Sequence, residues 1–192
     1  MNLGKVIKSF TSKKGRQVVF RYPKEDDTKA MLEFINELIS EDTFIEAHSQ
    51  FKTEEEEQQY LDSLLADIDM GKKVHLAVEV GGKYVGNAEL RKLPHRKAHV
   101  GELRISLRKE FREEGIGTEL MQTLIELGKA MRLRLLTLYV FENNHRALHL
   151  YQKLGFRRAG MVPGAIYFKN EYIGEVKMYL PLIEDIRQWV ET

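Results

Sequence analysis

The sequence predicts one α/β domain, a mixed β-sheet with helices on both faces. Three observations carry that expectation. The spacing of apolar residues spells the element order ββ-αα-βββ-α-β-α-ββ. A glycine loop, Arg112-Glu113-Glu114-Gly115-Ile116-Gly117, joins an apolar strand to an amphipathic helix. The length, 192 residues, fits a single domain of roughly 100–200 residues. A chain of that size buries roughly 70% of its unfolded surface, so its core needs no covalent or metal staple.

Residues 1–16 form an N-terminal hairpin extension with the strand that follows. Val6–Phe10 and Gln17–Tyr22 read as strands around the turn signal Lys13-Lys14-Gly15, and Pro23 ends the second. Over Glu25–Ile39, Met31, Phe34, Ile35 and Leu38 recur at the i, i+3, i+4, i+7 spacing of a helix. Residues 40–52 are irregular. Thr53 with Glu56 is a capping box, Tyr60, Leu61, Leu64, Leu65 and Ile68 give the buried stripe behind it, and Gly71 stops the helix. Val74–Val80 and Lys83–Leu93 are strands joined by Gly81-Gly82, and Ala98–Leu107 is a third that alternates Leu103, Ile105 and Leu107 with Glu102, Arg104 and Ser106. The helix after the glycine loop runs to about Met131, with Ile116, Leu120, Leu124 and Leu127 as its apolar stripe. Leu133–Phe141 is a strand, Asn143/Asn144 open a helix that Gly155 ends, and Phe156–Gly160 and Tyr172–Leu180 are strands around a Pro163-Gly164 loop. Leu182–Val190 reads as a short tail helix. The core spans about residues 17–180, leaving residues 181–192 as a tail.

Composition narrows the function classes. With no cysteine, disulfide frameworks, thiolate zinc sites and cysteine nucleophiles are all excluded. Lys+Arg 30 against Asp+Glu 29 gives a net charge of +1, so no global field favours nucleic acid or a membrane surface. No apolar run approaches the roughly 18 residues of a membrane span, and no signal-peptide core follows Met1. The expectation is a cytoplasmic protein without a membrane partner. His145 and His149 sit four apart on a helix, but no third ligand accompanies them and no metal is expected. The basic residues Arg91, Lys92, Arg96 and Lys97 read first as a solvated turn.

Glycines let a backbone turn tightly and approach a ligand closely. The first amides of a helix lack partners, and the helix dipole favours an anion there. The Arg112–Thr118 loop is therefore suited to a pyrophosphate. It lacks the Gly-Lys-Ser/Thr of a P-loop, and Leu120 stands where a dinucleotide fingerprint needs glycine. Alone, it also fits an ordinary strand–helix turn. Leu107-x4-Arg112-x-x-Gly115-x-Gly117-Thr118 nevertheless resembles the acetyl-CoA signature of the GNAT superfamily of N-acetyltransferases. About 27 residues downstream, Asn144-x-x-Ala147-x3-Tyr151-x3-Gly155-Phe156 is similar to that superfamily's second motif. The ribosomal-protein and small-amine branches are the most similar.

The resemblance implies a centrally splayed mixed sheet of about seven strands, with acetyl-CoA as cosubstrate. It implies that the pantetheine arm pairs with backbone at Ile105 and Leu107. The pyrophosphate would rest on the amides of Arg112, Glu113, Glu114, Gly115, Ile116, Gly117 and Thr118, with Asn144 a further cofactor contact. Tyr151 would protonate the leaving thiolate, and the Leu107 N–H would receive the oxyanion. Glu102 would serve as base through water, with Glu89 as the other candidate. Each role has a plainer counterpart. Tyr151 also reads as a half-buried aromatic at a helix end, Asn144 as a helix cap, and Glu102 as a salt-bridge partner of Arg104 or of a neighbouring strand. The acceptor would be an amine. Glu33, Glu37, Glu41, Asp42, Glu46 and Glu54–Glu57, against Lys52 alone, concentrate negative charge where a cationic amine or basic peptide would enter. These acids equally suit a solvated face. A homodimer is compatible with the resemblance. The competing function is an acyl-CoA-binding sensor or scaffold without catalysis.

Overall fold

The computed structural model of the protein describes residues 3–45 and 50–183. Among these residues, fourteen elements include eight strands, in the order β1-β2-β3-β4-β5-β6-β8-β7 of one open sheet. Eight strands are what the element order read from the sequence contains, and the N-terminal hairpin extends the sheet through β2 and β3. By contacts the chain falls into two compact units, Met1–Leu90 with Ile105–Met121 and Arg91–Arg104 with Gln122–Thr192.

In the first unit, β1 (Val6–Thr11) and β2 (Gln17–Arg21) pair antiparallel, with Thr11 opposite Gln17. The turn between them closes through Ser12 N–H to Arg16 O (2.8 Å) and Gly15 N–H to Ser12 O (2.9 Å). Gly15 adopts φ +79°, which glycine alone takes without strain. β2 pairs antiparallel with β3 (Lys73–Val80), whose residues 74–78 are all buried. β4 is Lys83–Lys92 and β5 is Val100–Leu107. Helix α1 (Thr28–Ser40) buries Met31, Phe34 and Leu38, and α2 (Glu54–Asp69) buries Leu61 and Leu64; together with Ala77 and Tyr84 these form one core cluster. The capping box is present: Glu56 N–H donates to Thr53 Oγ1 (3.2 Å) and Thr53 N–H to Glu56 Oε2 (2.9 Å). Helix α1 starts later than its spacing predicts. Buried Arg21 grips both oxygens of Asp27 (2.7 and 2.8 Å) and also reaches Glu79 (2.6 Å), fixing Asp27 ahead of the helix. Burial works against the Arg21 charge, and the two carboxylates outweigh it.

In the second unit, β5 pairs parallel with β6 (Leu135–Phe141) over Val100–Glu102, and that register ends at Glu102 opposite Thr137. β6 pairs antiparallel along its whole length with β8 (Glu171–Pro181). Helix α3 (Ile116–Ala130) begins in the first unit and continues here. It packs closely on β6, where a methyl at Gly128 would lie 3.2 Å from Leu136. Helix α4 is His145–Lys153 and β7 is Arg157–Phe168. The expected Pro163-Gly164 loop is instead part of β7. The register shifts between Val162 and Ile166, so these residues form a bulge, and an edge strand tolerates proline's missing donor. The true turn is Lys169-Asn170, both left-handed (φ +51° and +64°), as a two-residue hairpin of the primed type requires. The expected tail helix from Leu182 falls almost wholly outside the described residues.

Candidate active site

The glycine loop lies between β5 and α3. Gly115 takes φ +88° and Glu113 φ +68°. The first helical hydrogen bonds are Thr118 N–H and Glu119 N–H to Gly115 O, both 3.1 Å. The amides of Gly115, Ile116 and Gly117 thus precede the helical ladder and are the donors a helix start presents to an anion. Ile116 anchors the turn in the core at 0% exposure.

Leu107 ends β5. Arg108 N–H donates to Val85 O on β4 (2.8 Å). Peptide groups alternate between the two edges of a strand, so those of Leu107 and Ile105 point to the edge away from β4. Leu107 O accepts from Arg112 Nε (2.9 Å), leaving its N–H on the same edge. These features fit an extended acyl-pantetheine chain pairing like an added strand and a pyrophosphate at the helix start.

Two arginines tie this region to α1. Arg112 reaches Glu41 (2.9 Å). Buried Arg108 donates from Nε to Tyr84 O (3.0 Å), pairs with Glu37, and covers the Phe34 ring at 5.8 Å. Glu37 and Glu41 are therefore paired carboxylates, a correction to their reading as part of a free acidic entry. Glu46 lies outside the described residues. Glu33 and Glu54–Glu56 are exposed, while Glu57 is buried.

Glu114 holds a role the sequence did not signal. Its side chain is 0% exposed, accepts from Ser12 Oγ (2.8 Å), and lies 3.4 Å from Lys14 Nζ and 3.3 Å from Arg16. Lys13 N–H donates to Glu114 O (3.0 Å). The β1–β2 turn is thereby fastened to the glycine loop.

The other candidates divide by surroundings. Glu102 Oε1 receives Arg91 (2.8 Å) and lies 3.7 Å from Arg104, so both ion-pair readings are realised on one oxygen. Glu89 lies 3.4 Å from Lys73 and 3.9 Å from His75 Nδ1. Burial pushes its carboxyl up, but His75 and Lys73 outweigh that and hold it below the ordinary glutamate range. Asn144 caps α4, its Oδ1 accepting from Ala147 N–H at 3.2 Å. Tyr151 is 8% exposed rather than half-buried, packs on Phe156 with ring centroids 6.0 Å apart, and has its phenol pushed up to about 12 by burial. The structure gathers Ile105, Leu107 and the Arg112–Thr118 loop in one unit, and Glu102, Asn144 and Tyr151 in the other. A separate cavity of about 480 Å³ is lined by Glu25, Gln58, Asp62, Leu65, Ala66 and Asp69, none of them a predicted site residue. Among the described residues, no helix is long and apolar enough to cross a membrane.

The β5–β6 register ends at Glu102, and a glycine loop follows β5 at the start of α3. The sequence model of the acetyltransferase (GNAT) family matches residues 32–156, and the chain belongs to that family. It is 29% identical over 104 residues to spermidine N(1)-acetyltransferase of Escherichia coli (strain K12), covering 53% of this chain and 54% of that protein. The chain thus spans about half the length of the curated relatives it matches. Among solved structures it is similar to a GNAT-family acetyltransferase from Streptococcus pneumoniae, with TM-score 0.77, 25% identity, and coverage of 86% of this chain and 99% of that one. It also shares its fold with a ribosomal L7/L12 alpha-N-protein acetyltransferase in complex with coenzyme A, with TM-score 0.79, 12% identity, and coverage of 94% and 100%.

Proposed function

We propose that the protein transfers the acetyl group of acetyl-CoA to a primary amine by direct attack on the thioester. The observation that carries this reading is the Arg112–Thr118 loop at the start of α3, beside a β5 edge whose Ile105 and Leu107 peptide groups face away from β4. The amine nitrogen forms a bond to the thioester carbon, the Leu107 N–H receives the oxyanion, and the C–S bond then breaks. Tyr151 donates a hydrogen bond to the sulfur as charge develops on it, and solvent completes the protonation. An amine of ordinary pKa near 10.4 must first lose a proton, at a cost of about 4–5 kcal/mol at pH 7.

Glu102 is the base in this reading. Both arginine contacts go to Oε1, which leaves Oε2 to hold a water that carries the amine's proton away. Glu89, whose carboxyl His75 and Lys73 hold below the ordinary glutamate range, is the weaker proton acceptor. Glu102→Gln is expected to lower kcat/KM roughly tenfold, less than a directly contacting base would. The deficit should be greatest at low pH, where more of the acceptor is cationic. Superimposable pH–rate profiles for Glu102→Gln and the parent, with Glu89→Gln depressed instead, would transfer the role to Glu89.

The acceptor is proposed to be cationic, a polyamine-like amine or a basic peptide. With Glu37 and Glu41 paired, the charge supporting this is carried by exposed acids such as Glu33 and Glu54–Glu56. The spermidine acetyltransferase relative points the same way. The test is thiol release from acetyl-CoA with neutral, acidic and basic amines at low and moderate salt. Basic amines should turn over fastest, with kcat/KM falling as salt rises. A preference for acidic amines overturns the acceptor class, and CoA binding without turnover on any amine overturns the enzyme in favour of a sensor.

A further inference from the structure

We infer that the tip of the β1–β2 hairpin is part of the acetyl-CoA site, with the Lys13 ammonium receiving a phosphate of the cofactor's nucleotide end. This rests on the reading that the glycine loop binds the pyrophosphate.

The tip is docked on the loop rather than lying near it. Lys13 N–H donates to Glu114 O (3.0 Å), and Ser12 Oγ donates to the Glu114 carboxylate (2.8 Å). One backbone and one side-chain bond therefore fix where Lys13 departs from the turn. Its stem then runs along Gly115, where an added methyl would lie 3.6–3.8 Å from Lys13 Cγ, Cδ and Cε.

The charges around it leave one cation over. Lys14 and Arg16 share the single buried carboxylate of Glu114, and Arg16 also covers the Phe111 ring at 4.7 Å. Arg112 is taken by Glu41, and Lys8 by Glu119 at 2.7 Å. Lys13 is exposed and has no acidic partner among the described residues. A helix start is the positive end of its dipole, where cations are disfavoured unless an anion lies between them. The hairpin tip brings Lys13, Lys14 and Arg16 to that end beside the buried Glu114 carboxylate, an arrangement that a phosphate completes. A lysine ammonium suits it, as a point charge on a flexible stem.

Calorimetry of CoA and 3′-dephospho-CoA with the parent, Lys13→Ala and Lys13→Arg tests this, with Lys72→Ala as an exposed lysine elsewhere. Lys13→Ala should weaken CoA binding about tenfold at low salt and less as salt rises, while Lys13→Arg and Lys72→Ala stay near the parent. If Lys13→Ala weakens CoA but not dephospho-CoA, the group received is the 3′-phosphate; if both weaken equally, it is the pyrophosphate. Parent-like affinity in Lys13→Ala, or an equal loss in Lys72→Ala, overturns the inference alone. A parent protein that binds neither ligand overturns the glycine-loop reading, and the inference with it.

Discussion

Tyr151→Phe is expected to lower kcat by about 10²–10⁴-fold, the range a positioned general acid supplies, while CoA affinity stays nearly unchanged. The substitution keeps the ring that packs on Phe156 and removes only the proton. Burial of Tyr151 sharpens the expectation. Its pKa is pushed up to about 12, so the phenol remains protonated wherever the enzyme would work. Against an ordinary thiol near 8.5, complete transfer of that proton is uphill by roughly 3–4 units, or about 4–5 kcal/mol. Tyr151 therefore acts chiefly by donating a hydrogen bond as charge develops on sulfur, and solvent completes the protonation. The parent's kcat should accordingly show no loss with an apparent pKa near 10, since the tyrosine gives up its proton only toward pH 12. Rapid-quench measurement of acetyl transfer checks both points. A loss below about threefold, with chemistry rate-limiting, would leave Tyr151 as a packing residue.

Elements set by local chemistry were legible in the sequence, and those set by distant partners were not. The capping box at Thr53 and the stripes of α1 and α3 need only neighbours in sequence, and they formed as their spacing predicts. The hairpin signal at Lys13–Gly15 was equally local. Pro163-Gly164 misled because the same dipeptide serves a loop or an edge-strand bulge, and only the pairing with β8 distinguishes them. The start of α1 depended on Arg21 and Glu79, from two strands.

The candidate site divides along the same line. The glycine loop announced itself through residue types whose backbone properties are intrinsic. Glu114 did not, because Ser12, its hydrogen-bond donor, lies 102 residues away. The density of acids near α1 was visible, but their pairing with Arg108 and Arg112 was not. Asn144 and Glu102 had their plainer roles foreseen, as a cap and as an ion-pair partner, and both are present. Their catalytic and binding roles depend on a ligand's position, which spacing alone does not encode.

Nothing in the residues around Gly86 marks its need, yet Gly86→Ala is expected to cost about 2–3 kcal/mol of stability, within the range for overpacking a buried site. The glycine lies in β4 with ordinary backbone angles, so its need is steric rather than conformational. An added methyl would sit 2.5 Å from Ser106 O, 2.5 Å from Leu107 Cδ2 and 3.3 Å from Leu107 Cα. The leucine methyl can rotate away, but the carbonyl oxygen belongs to the β5 backbone and moves only with it. For a chain of this size the loss corresponds to a Tm lower by about 5–10 °C. Gly160→Ala, with nothing within 4 Å of the added methyl, should stay within about 0.5 kcal/mol of the parent. The same clash bears on function, because the segment it displaces carries Leu107, the proposed oxyanion donor. Any Gly86→Ala protein that folds should therefore also bind acetyl-CoA more weakly and turn it over more slowly than its residual stability explains. Paired thermal melts and CoA titrations of the two variants separate these effects. A Gly86→Ala variant melting within about 1 °C of the parent would show that β5 yields without cost and that the contact does not constrain the strand.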